Sequence, residues 1–213
     1  FGHALHGMLA NTQYRSLSGP SVCWDFVELP SQLLENWCYE KEALDVFAKH
    51  YKSGEPIPAK YVEQIKAAAN FNEGMQTLRQ LSFGLLDMAW HTTNPDEIKS
   101  VKDFENAAFE PTRLVEDVKE NCMSTAFSHI FQGGYSAGYY SYKWAEVLDA
   151  DAFEAFKNKG VFDTETAKAF KTHILEKGGT EEPMILYKRF RGQEPNPEAL
   201  LKRAGLLKPE KMS

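Results

Sequence analysis

Apolar residues recur along this chain every three or four positions far more often than every second one, a spacing that predicts helices and leaves little room for strands. The stripe Met75, Leu78, Leu81, Leu85 and Met88 predicts one face of a long helix that stops before Asn94-Pro95. Val62, Ile65 and Ala69 mark a second helix, introduced by Pro58 near its first turn. Ala167, Phe170 and Ile174 mark a third, with Asp163 placed to cap its start and Gly178-Gly179 to end it. Asn196-Pro197-Glu198 and Gly205 bracket a short last helix in the same way. Breaks are expected at Ser53 to Pro58, Asn94-Pro95, Glu110-Pro111, Gln132 to Gly138 and Gly192 to Pro197. None has the length of a flexible linker, so the pattern predicts an all-α fold and one helical domain over 1–213. A hairpin arm over Gln13 to Ser18 is the one extended element expected.

Composition narrows the function. With 213 residues, 43% of them hydrophobic, the chain can bury a sizeable core. A net charge of −6, with basic residues flanked by acids as in Glu40-Lys41-Glu42, gives no electrostatic footprint for nucleic acid. The longest apolar stretch, Leu81 to Trp90, is interrupted by Ser82, Gly84 and Asp87 and is too short to span a bilayer, so no membrane partner is expected. Cys23, Cys38 and Cys122 follow neither zinc-ribbon nor redox spacing. They are expected as reduced, mostly buried thiols, which suits a cytoplasmic protein.

Three segments carry chemistry. His3 and His6 stand three apart, so they share a face of the first helix. Histidines so placed are commonly packed or hydrogen-bonded residues, and their spacing alone assigns no metal. Further on, Trp24-Asp25-Phe26-Val27-Glu28-Leu29-Pro30-Ser31-Gln32 sets one carboxylate among apolar neighbours, where it needs a partner or a metal to offset burial. In the third segment, His129 precedes Gly133-Gly134-Tyr135-Ser136-Ala137-Gly138-Tyr139-Tyr140-Ser141-Tyr142, a glycine-hinged loop running into a helix. Tyr135, Tyr139 and Tyr142 are spaced to share a face there. Such aromatic stripes are usually core, but three phenols buried together need three hydrogen-bond partners. No Lys-Ser/Thr follows the glycines, which excludes a phosphate-binding loop.

Together these segments resemble the thimet oligopeptidase and peptidyl-dipeptidase family. Phe1-Gly2-His3 is similar to the end of that family's His-Glu-x-x-His motif, and Glu28-Leu29-Pro30-Ser31-Gln32 to the signature that supplies its third metal ligand. The 25 positions from His3 to Glu28 match the family spacing. Gly178-Gly179-Thr180-Glu181-Glu182-Pro183 and Phe190-Arg191-Gly192-Gln193-Glu194-Pro195 extend the likeness to nearly the whole chain. The resemblance implies one Zn²⁺ ion held in part by His3 and Glu28, with Tyr142, His129 and Tyr135 at the reacting carbonyl and Tyr139, Gly133, Gly134 and His6 along the substrate. It puts the first metal histidine and the glutamate base in the two positions before Phe1. The chain is therefore expected to be the C-terminal portion of a larger enzyme whose N-terminal portion is its partner, and to bind zinc weakly and cleave nothing by itself. The activity implied is hydrolysis of short peptides by release of C-terminal dipeptides. Endopeptidase cleavage of the oligopeptidase A type is the alternative, and a non-catalytic helical interaction module is the reading from another class.

Overall fold

A computed structural model of the chain describes residues 1–207; the end of the expected domain span, 208–213, lies outside the described residues. The chain runs through α1 (Gly2–Met8), α2 (Trp24–Val27), α3 (Leu29–Glu35), α4 (Lys41–Phe47), α5 (Ala59–Ala69), α6 (Glu73–Thr92), α7 (Val101–Phe109), α8 (Ser128–Phe131), α9 (Ser141–Lys159), α10 (Thr164–Phe170), α11 (Pro183–Arg191) and α12 (Glu198–Arg203). The fold is all-α: among the described residues the only β pairing is an isolated antiparallel bridge between Lys49 and Pro56. No helix among them is long and apolar enough to cross a membrane. Two compact units divide the chain, one formed by Phe1–Phe71 with the chain from Trp144 on, the other by Asn72–Lys143.

In the first unit the core joins Phe26, Leu29 and Leu33 to Leu148, Ala152, Phe153 and Phe156 on one face of α9, and to Phe170, Ile174, Leu186 and Tyr187. Asp163 caps α10, accepting from the Thr166 N–H at 2.8 Å, and a wider π-helical turn over Lys171–Leu175 follows. Beyond it Gly178 takes φ +50°, and a Cβ there would lie 2.1 Å from the Leu17 carbonyl oxygen, so only glycine fits. α9 also buries Asp149 and Asp151, and each carboxylate is matched. Asp149 accepts from Asn36 at 2.9 Å and from Arg203, while Asp151 accepts from the Tyr187 hydroxyl at 2.6 Å and from Nε and Nη2 of Arg191 at 2.9 and 3.0 Å.

In the second unit Phe83, Leu86, Phe127 and Ile130 form the core, with Trp90, Phe109, Met123 and Tyr139 packed on it. Glu105 is fully buried among donors: the Ser124 N–H at 2.6 Å, the Ser124 hydroxyl at 2.7 Å and Lys102 at 3.2 Å. Burial alone would raise its pKa, but these donors hold it below the ordinary carboxylate value.

Two expectations need correction, and one gains a detail. The stripe through Met75, Leu78, Leu81, Leu85 and Met88 lies on a long helix that ends at Thr92, before Asn94-Pro95 as expected, with Met75 53% and Leu81 42% exposed. α6 carries apolar residues on more than one face, and packing selects the one with Phe83, Leu86 and Trp90, which has the larger rings to bury. Gln13 to Ser18 forms no hairpin arm; Arg15–Leu17 coil into a 3₁₀ turn whose Leu17 carbonyl accepts from the Gly179 N–H at 2.9 Å, so a tertiary contact replaces a partner strand. The cysteines are free as expected but not mostly buried: Cys23 and Cys38 are exposed and Cys122 is half-buried.

Removing only the hydroxyl of Tyr187, as Tyr187→Phe, takes a buried donor from Asp151 and should cost about 1–3 kcal/mol. Urea unfolding of wild type and variant measures it, and equal midpoints would contradict the role given to this bond.

Candidate functional site

Glycine at position 2 sets the first site. A Cβ there would stand 2.4 Å from the Pro30 carbonyl oxygen and 2.5 Å from the Ser31 Cα, so α1 and α3 touch backbone to backbone. Pro30, in the first turn of α3, has no N–H to satisfy and fits that position. Glu28 is the joint between α2 and α3 and is 8% exposed. One turn along, the Ser31 hydroxyl donates to Glu28 Oε2 at 2.6 Å and orients the carboxylate. His3, on the solvent side of α1, points its Nε2 at the same Oε2, 3.2 Å away. Two donors on a tetrahedral zinc, at about 2.0–2.1 Å for nitrogen and 2.0–2.2 Å for oxygen, stand about 3.3 Å apart. The pair therefore has the spacing of two ligands on one ion, which is also that of a hydrogen bond when no ion lies between them. Among the described residues no three His, Cys, Asp or Glu side chains gather as a metal would need. His3 and Glu28 bring two groups of suitable chemistry, an imidazole and a carboxyl.

His6, expected along the substrate, is fully buried, and among the described residues neither ring nitrogen has a hydrogen-bond partner. Burial, and secondarily the neighbouring His3, pushes its pKa down to about 4.

The second constellation belongs to the Asn72–Lys143 unit. Gln132 to Tyr140 form a loop of bends and turns and α9 starts at Ser141, so the tyrosines come together from the loop and the helix start instead of from one helical face. Tyr135 and Tyr142 stack with ring centroids 4.9 Å apart, Tyr139 and Tyr142 lie 5.0 Å apart, and the exposed His129 ring stands 5.8 Å from Tyr135 and 6.3 Å from Tyr142. Tyr139 leans on Phe127 and Phe83, at 4.9 and 5.8 Å, and burial raises its pKa, with Tyr142 adding to the shift. Gly134, at φ +85°, and the exposed Gly133 provide the tight turn, where a Cβ on Gly133 would meet the His129 carbonyl oxygen at 2.9 Å. The arrangement offers phenol and imidazole groups able to donate to an oxygen that gains negative charge.

Two residues beyond those expected serve these constellations. Ser31 was legible as part of the Glu28 segment, and its position one turn after a buried carboxylate was the signal. Asp87 accepts backbone N–H groups of the tyrosine loop. The sign of it was an acidic residue inside the apolar run Leu85-Leu86-Asp87-Met88-Ala89-Trp90.

Comparison with known proteins adds a family. The model of peptidase family M3 matches residues 1–206. The chain is 48% identical over 211 residues to oligopeptidase A of Escherichia coli (strain K12), covering 97% of this chain and 31% of that protein. It is 45% identical to oligopeptidase A of Haemophilus influenzae (97% and 31%) and 36% identical to dipeptidyl carboxypeptidase of E. coli (97% and 31%). The chain thus spans less than a third of the length of these relatives.

The buried His6 makes stability depend on pH. The unfolded chain takes up a proton near the ordinary value of 6.5 and the folded chain only near about 4, so His6 leaves stability intact above pH 6.5 and lowers it as pH falls from there toward 4. In that window its contribution should reach up to ~1.4 kcal/mol per pH unit. Urea unfolding from pH 7 to 4 should therefore give a shallower decline for His6→Phe than for wild type; parallel curves would contradict this.

Proposed function

The chain belongs to peptidase family M3, and on that premise we propose that it works as the C-terminal part of a zinc peptidase that hydrolyses short peptides. The reading rests above all on the 3.2 Å approach of His3 Nε2 to Glu28 Oε2 within a family match of this extent. His3 and Glu28 would hold the ion, with Ser31 fixing the carboxylate. The third ligand and the general base would come from residues outside this chain, which spans 31% of the E. coli oligopeptidase A. Bound there, Zn²⁺ would supply Lewis-acid polarisation of a carbonyl and a water of lowered pKa.

The chain's own residues then act on the substrate. The Tyr142 hydroxyl would donate to the scissile carbonyl oxygen, with His129 or Tyr135 assisting, since a preorganised donor gains strength as charge grows on that oxygen. Tyr139 and the turn at Gly133-Gly134 would receive the peptide backbone. His6, fully buried in this structure, would reach a peptide only if α1 repacks, so packing of α1 is the role its geometry favours. The higher identity to oligopeptidase A, 48% against 36% for dipeptidyl carboxypeptidase, favours internal cleavage over dipeptide release. A cytoplasmic location agrees with this reading.

Tyr142→Phe in the complete enzyme deletes one hydroxyl and keeps the ring. It should lower kcat by about 10²–10³ with zinc content and melting unchanged. An unchanged kcat would return Tyr142 to a packing role. Products from a C-terminally amidated peptide, read in the same assay, separate the modes: cleavage at an internal bond supports the oligopeptidase reading, and action only on free C-termini contradicts it.

A further inference from the structure

The loop that carries the tyrosines packs through the Tyr135 and Tyr139 rings, while the backbone between them is largely open. Residues 131–134 are exposed, as are Ser136, Ala137 and Tyr140. Ala137 also sits at φ +55°, in the left-handed region that a side chain disfavours by roughly 1–2 kcal/mol. The Ser136 hydroxyl ties the loop to the Ile130 carbonyl at 2.5 Å, and the two backbone N–H groups that flank Gly138 lead to one carboxylate. The N–H of Ala137 donates to Asp87 Oδ1 at 2.9 Å, and the N–H of Tyr139 donates to Asp87 Oδ2 at 2.8 Å. Each carboxylate oxygen thus takes one end of the three-residue turn at Ala137-Gly138-Tyr139. On the helix side His91, one turn along α6, brings its Nδ1 within 2.8 Å of both Oδ1 and the Asp87 carbonyl oxygen.

Asp87 is fully buried on α6, the helix that also gives Phe83 and Leu86 to this unit's core. An isolated carboxylate would be expensive there. Its two backbone N–H partners and the His91 ring beside it offset that cost, and the N–H bonds are directional. We propose that Asp87, oriented by His91, is the positioning residue of the tyrosine loop: it holds Ala137 and Tyr139 so that the Tyr139 ring seats on Phe83 and Phe127 and braces Tyr142. The path is short. The Tyr142 N–H returns to the Tyr139 carbonyl at 3.3 Å, and the two rings lie 5.0 Å apart. Asp87 touches no substrate; it acts through Tyr139 and Tyr142, and its effect on turnover rests on the role proposed above for Tyr142.

Asparagine at position 87 keeps the size but offers one acceptor oxygen where there were two, and turns an NH₂ group toward a loop N–H. In the complete enzyme, Asp87→Asn should raise amide hydrogen exchange across 135–142 by at least about tenfold while the α6 amides keep their protection. Because a displacement of about 1 Å can cost 10²-fold in rate, kcat should fall by roughly 10- to 100-fold with KM little changed. Unchanged exchange in the loop overturns the proposal. A loosened loop with unchanged kcat also overturns it when Tyr142→Phe is slow, whereas unchanged rates in both variants fault the catalytic reading of the loop itself. If Asp87→Asn fails to fold, the wild-type enzyme still decides. The Ala137 and Tyr139 amides should exchange as slowly as the middle of α6 despite lying in an exposed turn, and exchange at the rate of an open loop would sink the idea.

Discussion

The backbone contact of α1 with α3 is the constraint on which the candidate metal pair depends. Because position 2 has no side chain, the two helices approach until a Cβ would stand 2.4 Å from the Pro30 carbonyl. At that separation a histidine one residue later on α1 meets a carboxylate at the head of α3 without either side chain stretching. Any larger residue at position 2 would push the helices apart and open the 3.2 Å spacing of His3 and Glu28. Similar economy recurs where Gly178 passes the Leu17 carbonyl. The site is thus held by packed backbone, which keeps its place far better than long side chains could.

Buried carboxylates do the corresponding work elsewhere in each unit. Asp149 ties α9 to Asn36 and to Arg203 on α12, and Asp151 ties it to Tyr187 and Arg191 on α11. Glu105 joins α7 to the Ser124 turn, and Asp87 joins α6 to the tyrosine loop. A buried charge is costly unless each lone pair finds a donor, so each of these groups admits few alternative arrangements of the segments it joins.

Much of this was legible in the sequence because helices announce themselves locally. The Asp163 cap, the Pro58 entry and the closing Gly205 sit where spacing and backbone preference put them. Which face of α6 is buried was not legible, since two apolar stripes compete on one helix and only tertiary contacts decide between them. The 3₁₀ turn at Arg15–Leu17 was hidden for the same reason: its partner, Gly179, is distant in sequence. Motifs singled out His3, Glu28 and the tyrosines as candidates, while Asp87 escaped because a single acid in an apolar run carries no address for its partners.

The central claim is that His3 and Glu28 bind one ion. The most direct measurement is anomalous scattering at the zinc edge from a crystal of the complete enzyme. A single peak about 2.0–2.2 Å from both His3 Nε2 and a Glu28 carboxylate oxygen is the predicted result. A zinc peak elsewhere, or one that touches only one of the two, would contradict the account.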